Sequence, residues 1–274
     1  MNILIVGLGL IGGSYAKGLK AKGHTVYGVD INEESLNFAL ANNIIDFGSQ
    51  NPEEFIGKSE LIIIGLYPNL ILEFLNSYRH LFKENQLITD VCGVKTVYVK
   101  EAYKLAYPAT YLAHHPMAGR EKAGILYSNT EMFKKANFLI CNSNHDQKHI
   151  DILKSIANDL EFGRITVISP EYHDKMIGFT SQLTHAIAVS LVNSDTEEDT
   201  KSFIGDSYRD LTRIAMINEE LWSELFLANK EYLIGEISNF ECELKKLKNA
   251  LLAEDKDTMK KLFIASTKKR KEME

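Results

Sequence analysis

Cysteine is scarce in this sequence, which has only three, Cys92, Cys141 and Cys242, at wide spacing. An odd number of distant cysteines fits neither a disulfide framework nor a Cys-x-x-Cys metal pair, so we expect no metal site and a reducing, cytoplasmic location. No hydrophobic run approaches the roughly 20 apolar residues that a membrane helix needs, so we expect no membrane partner.

Basic residues are also in the minority, with 31 Lys and Arg against 37 Asp and Glu and a formal net charge of -6. Proteins that bind nucleic acid need clustered cations against the phosphates, so we expect no nucleic-acid partner. The 274 residues are 45% hydrophobic and 25% charged. This composition is typical of a folded globular protein with one or two domains.

Short β-branched runs alternate with helical patterns through the first 168 residues. The runs are apolar on both faces, which predicts a parallel sheet covered by helices on both sides, in a doubly wound α/β domain of the Rossmann type. The predicted strands are NILIVG, TVYGVD, LIIIGL, QLITDV, TYLAHH, NFLICN and RITVIS. Helices are predicted over residues 11–22, 33–42 and 147–158.

The pattern changes at Ser169, where SPEYHDKM predicts a helix with Ser169 as N-cap and Pro170 as its first residue. Only helical periodicity follows. We therefore predict a dinucleotide-binding domain over residues 1–168 and an all-α substrate and dimerisation domain over residues 169–274. A wide apolar arc in this second half indicates cover by a second subunit, in a homodimer built from the C-terminal helices. Its residues are Leu221, Trp222, Leu225, Phe226, Leu233, Ile234, Ile237 and Phe240.

A glycine-rich segment, GLGLIGGS, lies between the first predicted strand and the first predicted helix. Its GxGxxG spacing allows a tight turn at Gly7, a close approach of the pyrophosphate at Gly9 and close helix packing at Gly12. With Leu10 and Ile11, these residues form the predicted cofactor site. The alternative is that the glycines belong to a plain turn.

Asp30 ends the second predicted strand, where an acidic residue accepts hydrogen bonds from the adenosine ribose hydroxyls. No cation follows among residues 31–34 to meet a 2′-phosphate, so the pattern favours NAD over NADP. Asp30 is alternatively an N-cap of the next helix, and the two roles are compatible.

Polar side chains follow three predicted strands at the edge of the sheet where ligands bind, in residues 67–69, 90–95 and 114–120. Neighbours on a strand point to opposite faces, so one of His114 and His115 should face the cleft and the other should pack structurally. An imidazole beside a nicotinamide ring is suited to remove a hydroxyl proton while hydride leaves the same carbon.

The motifs GLGLIGGS, DVCGVK, HHPMAGREKAG, SPEYHDKM, TSQLTHAIA and YRDLTRIA together resemble the prephenate dehydrogenase (TyrA) family, which includes arogenate dehydrogenases. The resemblance runs from about residue 2 to about residue 231. It implies a Rossmann domain, a helical dimerisation domain and an NAD-dependent oxidoreductase. The implied reaction is the oxidative decarboxylation of prephenate to 4-hydroxyphenylpyruvate in tyrosine biosynthesis.

The resemblance also implies roles for individual residues. His115 would be the catalytic base, and Arg213 would bind a substrate carboxylate, a task that suits the fork of a guanidinium. His185 would contact the substrate from the long interdomain helix. Helical spacing supports this, because residues 174, 178, 181 and 185 would form one polar stripe.

Four further positions leave alternatives open. Glu121 would orient substrate amine or hydroxyl groups or cap the next helix, and Trp222 would lie near the substrate pocket or pack in the core. Arg120 would recognise dianionic prephenate or face solvent. Gly93 stands where the family often has a serine, so either a water replaces that hydroxyl or His115 works alone.

Two other classes of protein remain as alternatives. A β-hydroxyacid dehydrogenase would use a lysine base on the interdomain helix, where Lys175 lies, but the glycine and asparagine pattern around that lysine is missing. A non-catalytic dinucleotide sensor would keep the binding fold without a base at the nicotinamide end.

Overall fold

The structure is a computed structural model that describes residues 1–119, 122–142 and 147–273. Its N-terminal half is built on a parallel sheet of six strands in the order β3-β2-β1-β4-β5-β6. The strands are β1 (Asn2–Val6), β2 (Thr25–Val29), β3 (Phe47–Ser49), β4 (Leu61–Ile64), β5 (Leu87–Asp90) and β6 (Thr110–Tyr111). The helices of this half are α1 (Leu10–Ala21), α2 (Glu33–Ala41), α3 (Glu53–Ile56), α4 (Pro68–Tyr78), α5 (Val99–Ala106) and α6 (Gln147–Asp159). The predicted Rossmann-type fold is confirmed.

Hydrophobic cores cover both faces of this sheet. Ile3 and Ile5 of β1 belong to one core, which includes residues of α1 and α6, whereas Leu4 and Val6 belong to the other, with residues of α4 and α5. The strand alternation sends successive side chains to opposite faces. Burial on both faces explains why the strands are continuous apolar runs.

A second sheet of three strands follows, made of β7 (Ala113–Pro116), β8 (Asn137–Cys141) and β9 (Arg164–Ile168). β7 is antiparallel to β8, and β8 is parallel to β9. The prediction of one strand for TYLAHH was wrong, because the chain leaves the first sheet at Leu112. The side chains remain apolar across that break, so periodicity alone gives no sign of it.

The C-terminal half is helical, and the structure describes no strand between residues 169 and 273. Its helices are α7 (Pro170–Ile177), α8 (Leu183–Asn193), α9 (Asp206–Thr212), α10 (Glu219–Ala228), α11 (Lys230–Leu252) and α12 (Lys256–Lys271). The predicted start is confirmed, since the Ser169 hydroxyl accepts the N–H of Tyr172 and Pro170 is the first residue of α7. A π-helical segment, Gly178–Gln182, joins α7 to α8.

The C-terminal half has a sparse core of its own. Among its described residues, the buried hydrophobic side chains are Ile177, Leu183, Ala188, Leu225, Leu233 and Ala250. Large apolar side chains are exposed instead, including Leu211, Met216, Leu227, Ile234, Leu244, Leu251, Leu252, Phe263 and Ile264. Across the described residues, no helix is long and apolar enough to cross a membrane.

Candidate active site

The glycine-rich turn between β1 and α1 has the geometry that a dinucleotide needs. Gly7 has a φ of +88°, which disfavours other residues, and a Cβ on Gly12 would lie 1.9 Å from the Gly7 carbonyl oxygen. A Cβ on Gly9 would meet no atom within 4 Å, so the space before the helix N-terminus is open. A pyrophosphate therefore fits against the backbone here.

Asp30 lies beside this turn at the end of β2 and is half-buried. Its carboxylate accepts the N–H of Leu8 at 2.7 Å and the N–H of Asn32 at 2.8 Å. The N-cap of α2 is Asn32, whose side chain accepts the N–H of Ser35. The alternative prediction that Asp30 caps this helix was wrong, because Asn32 occupies the N-cap position.

The two adjacent histidines point to opposite faces of β7. His114 is buried, with its Nε2 2.8 Å from the Tyr15 hydroxyl and its Nδ1 2.7 Å from the Thr89 hydroxyl. Its ring stacks on Phe138 at a centroid distance of 4.5 Å. Burial lowers the pKa of His114 well below its ordinary value, and the charge of Lys95 adds to this effect. Both ring nitrogens are occupied within the protein, as expected for a structural residue.

His115 is half-buried at the carboxyl end of the strands. Its Nδ1 lies 2.9 Å from Nε2 of His173, on the first turn of α7. Burial, and then the neighbouring His173, lower the pKa of His115 well below its ordinary value. The ring is therefore neutral at pH 7, which is the state required of a general base. A Cβ on Gly93 would lie 3.9 Å from Cε1 of this ring, so a side chain at that position would be its direct neighbour.

A buried ion pair holds the backbone beside these histidines. Lys95 Nζ lies 2.6 Å from Asp90 Oδ1 and donates a hydrogen bond to the carbonyl oxygen of His114 at 2.8 Å. Asp90 also accepts the hydroxyl protons of Tyr98 and Tyr111. Because a buried carboxylate needs several donors, these contacts fix the end of β5 against β7.

Sequence reasoning missed His173 as a site residue. Asp174 was predicted only as one member of a polar stripe. Both are fully buried, and His173 Nδ1 lies 2.7 Å from Asp174 Oδ1. Their motif, SPEYHDKM, is part of the family resemblance, so the adjacent titratable pair was the available signal.

The other predicted substrate residues lie on the C-terminal helices. His185 on α8 stacks on Trp222 of α10, and α8 packs against the short 3₁₀ helix that begins at Arg213. α10 packs close to the carboxyl ends of the strands, because a Cβ on Gly93 would lie 3.6 Å from Leu225 of this helix. Arg213 is exposed. The predicted residues Arg120 and Glu121 lie outside the described residues.

Lys175 was the candidate base of the alternative β-hydroxyacid dehydrogenase. It is exposed on α7, whereas its neighbours His173 and Asp174 are buried. A general base must reach the proton that it removes, so an exposed ammonium on this side of the helix does not fit that role.

A Rossmann domain with an uncharged imidazole at its ligand-binding edge, followed by a helical half, defines the class of two-domain dinucleotide-dependent dehydrogenases. Within this class, the family models described as the prephenate dehydrogenase nucleotide-binding domain and dimerization domain match residues 15–166 and 169–265. The chain therefore belongs to the prephenate dehydrogenase family. The predicted family and the predicted enzyme class are confirmed.

Individual relatives agree with this assignment. The prephenate dehydrogenase of Bacillus subtilis is 28% identical over 273 residues, covering 96% of this chain and 73% of the relative. The cyclohexadienyl dehydrogenase of Zymomonas mobilis is 28% identical over 279 residues, covering 98% and 94%. A crystal structure of prephenate dehydrogenase from A. aeolicus, in complex with hydroxyphenyl propionate and NAD+, is 30% identical with a TM-score of 0.90, covering 100% and 98%.

Proposed function

We propose that this chain catalyses the NAD-dependent oxidative decarboxylation of prephenate to 4-hydroxyphenylpyruvate, a step of tyrosine biosynthesis. The observation that carries the proposal is His115, a neutral imidazole at the carboxyl edge of the strands, in a member of the prephenate dehydrogenase family. The NAD+ in the A. aeolicus relative supports the choice of cofactor.

The glycine-rich turn and Asp30 are the residues that would hold the dinucleotide. When bound, NAD+ supplies the acceptor for the hydride that leaves ring carbon C4 of prephenate. Nε2 of His115 accepts the proton of the C4 hydroxyl, so a ketone forms as the hydride departs. Loss of carbon dioxide from C1 then restores an aromatic ring, which drives the reaction without a second base.

Most of the proposed substrate contacts come from residues of the C-terminal half. Arg213 would bind a prephenate carboxylate through the fork of its guanidinium, a geometry that a lysine does not reproduce. His185, stacked on Trp222, would contact the substrate from α8. Arg120 and Glu121 stay proposed substrate residues, because the motif HPMAGRE has them only five and six residues after His115 in the sequence.

The test is a spectrophotometric assay of the purified chain. NADH should form with NAD+ and prephenate, with release of one carbon dioxide for each NADH. Parallel assays use arogenate and 3-hydroxyisobutyrate. Turnover of arogenate alone would move the chain to the arogenate branch of the family, and turnover of 3-hydroxyisobutyrate alone would overturn the family's reaction. No NADH formation with any of the three substrates would favour a dinucleotide sensor.

We further propose a homodimer assembled through the C-terminal helices, in the cytoplasm. The match to a dimerization domain and the exposed apolar side chains of α10, α11 and α12 support the dimer. A mostly apolar hollow is formed by residues of α8 and α10 together with Ile217. It is lined by Ala186, Val189, Ser190, Ile217, Glu219, Trp222, Ser223 and Phe226. The free thiols of Cys92, Cys141 and Cys242 suit a reducing compartment. We also propose a dinucleotide-binding domain over residues 1–168 and a helical domain over residues 169–274. The family models, which match residues 15–166 and 169–265, support this division.

A further inference from the structure

Three side chains form a continuous hydrogen-bonded row behind the cleft. His115 Nδ1 lies 2.9 Å from His173 Nε2, and His173 Nδ1 lies 2.7 Å from Asp174 Oδ1. His115 comes from β7, and the other two come from α7. The row therefore links the Rossmann half to the first helix of the C-terminal half.

Asp174 is the ionised end of this row. Its carboxylate accepts the backbone N–H groups of Lys95 and Thr96 and the hydroxyl of Thr96, all within 3.2 Å. Burial alone would raise the pKa of Asp174, but the hydrogen bonds from His173 and Thr96 outweigh burial and lower it. Every one of these partners donates, so the carboxylate acts only as an acceptor.

The direction of each hydrogen bond follows from that charge. An acceptor at Asp174 Oδ1 requires a proton on Nδ1 of His173. Burial lowers the pKa of His173, although the Asp174 contact opposes this effect, so the ring is neutral and its Nε2 is an acceptor. Nδ1 of His115 must then carry the proton. In a neutral ring this leaves the lone pair on Nε2, the nitrogen that is not engaged with His173.

We propose that His173 and Asp174 are positioning residues that fix the tautomer of His115, so that its Nε2 is the basic atom, and that stabilise its protonated form. When Nε2 takes the substrate hydroxyl proton, the Nδ1 proton is shared with His173 Nε2. The positive charge then approaches the Asp174 carboxylate. It is removed when Nε2 gives its proton back to the C4 oxygen, which becomes a phenolate as carbon dioxide leaves. The catalytic part of this proposal rests on the proposed function.

The surrounding charges do not replace Asp174 in this role. The described titratable groups that act on the two rings are Lys95, Asp90 and His114. Lys95 and Asp90 form an ion pair with each other at 2.6 Å. His114 is neutral and occupied by Tyr15 and Thr89. Asp174 is thus the anion that contacts the two histidines, through its direct hydrogen bond to His173.

Asp174→Asn should reverse the direction of the hydrogen bonds in this row, while the shape of the side chain changes little. The amide oxygen would stay at the donors of residue 96, and the amide N–H₂ would replace Oδ1 and face His173. The Lys95 N–H would lose its 2.9 Å contact to Oδ1 and keep the 3.2 Å contact to the remaining oxygen. His173 Nδ1 would become an acceptor, its Nε2 would donate to His115 Nδ1, and His115 Nε2 would carry the proton. We expect kcat to fall roughly 10²–10⁴-fold with a KM for prephenate within about threefold of wild type. The acid limb of the pH profile should move to lower pH, since the protonated rings lose their anion.

His173 variants test the row if Asp174→Asn does not fold. His173→Ala removes the acceptor for His115 Nδ1, whereas His173→Gln keeps an amide oxygen within reach of it. We expect a large loss of kcat in His173→Ala and partial recovery in His173→Gln. Lys175→Gln, an exposed neighbour on the same helix, is the matched control and should keep wild-type kinetics. Wild-type kcat and pH profile in folded Asp174→Asn, or in His173→Ala, would overturn the proposal.

An NMR measurement tests the tautomer without any substrate. The ¹⁵N shifts of labelled histidine rings should give a protonated Nδ1 and a bare Nε2 for His115, with the reverse in Asp174→Asn. A protonated Nε2 in the wild-type protein would overturn the tautomer assignment. Because this readout is independent of turnover, a wild-type protein inactive on prephenate would reject the proposed function while the row is still tested.

Discussion

The imidazole of His185 lies against the indole of Trp222, with ring centroids 3.7 Å apart and 30° between the ring planes. The contact joins α8 to α10, and Trp222 also packs against the core beneath the strand edge. Trp222 therefore packs against the core, which was one of its two predicted roles, and it also contacts His185, a proposed substrate residue.

Shortening Trp222 should weaken substrate binding by releasing His185. We expect Trp222→Leu to raise the KM for prephenate about 5- to 10-fold, the size of one lost aromatic contact, with little effect on the KM for NAD. Trp222→Phe keeps an aromatic ring and should recover most of the loss. Steady-state kinetics in both substrates provide the check, and an equal effect of the two variants would contradict the stacking role.

Asp30 should make the enzyme selective for NAD. Its carboxylate would face the 2′-phosphate of NADP, at a cost of about 1–3 kcal/mol, or roughly 5- to 150-fold in kcat/KM. Asp30→Asn removes the charge and keeps the shape, so this variant should lose much of the discrimination. Equal kcat/KM for the two cofactors in the wild-type enzyme would exclude this role.

His115 should dominate the chemical step. His115→Asn removes the basic nitrogen, so we expect kcat to fall roughly 10²–10⁴-fold with a smaller change in KM. The acid limb of kcat/KM for prephenate should lie below pH ~6.5, because the folded protein lowers the pKa of this ring and activity requires the neutral form. Activity is thus kept as pH falls through 6.5 and lost only at lower pH. A limb above 6.5 would contradict the assignment.

Arg213 should act in binding rather than in chemistry. Arg213→Ala removes a charge-assisted hydrogen bond of about 1.5–3 kcal/mol, so the KM for prephenate should rise roughly 10- to 150-fold while NAD affinity is kept. Arg209→Ala is the matched control, because Arg209 is exposed on the preceding helix and pairs with Asp206. Isothermal titration with NAD and kinetics with prephenate separate the two effects. A loss confined to kcat would assign Arg213 to another step.

The exposed apolar surface predicts the assembly. Light scattering during gel filtration should give a mass near twice the 31.0 kDa chain. Ile234→Glu places a charge on that surface and should shift the mass toward one chain, whereas Glu231→Gln on the same helix should not. An active wild-type monomer at micromolar concentration would disprove the interface.

Local signals in the sequence were sufficient for much of this fold. The turn at Gly7 and the helix start at Ser169 each depend on neighbouring residues, and both were predicted from them. The break at Leu112 and the π-helical segment were not predicted, because each depends on which distant elements the chain packs against. The same holds for the contact between His115 and His173, which are 58 residues apart in sequence. Helical periodicity identified a polar stripe on an otherwise apolar helix. It does not show which residues of that stripe contact other side chains.

Asp30 accepts two backbone hydrogen bonds from within the protein itself. Its side chain loses little rotational freedom when a ribose hydroxyl arrives, because the N–H groups of Leu8 and Asn32 set its orientation beforehand. This side chain loses its conformational entropy when the chain folds, so that loss does not reduce the affinity for the cofactor. The adenosine end of the cleft is in this sense preorganised by the same turn that admits the pyrophosphate.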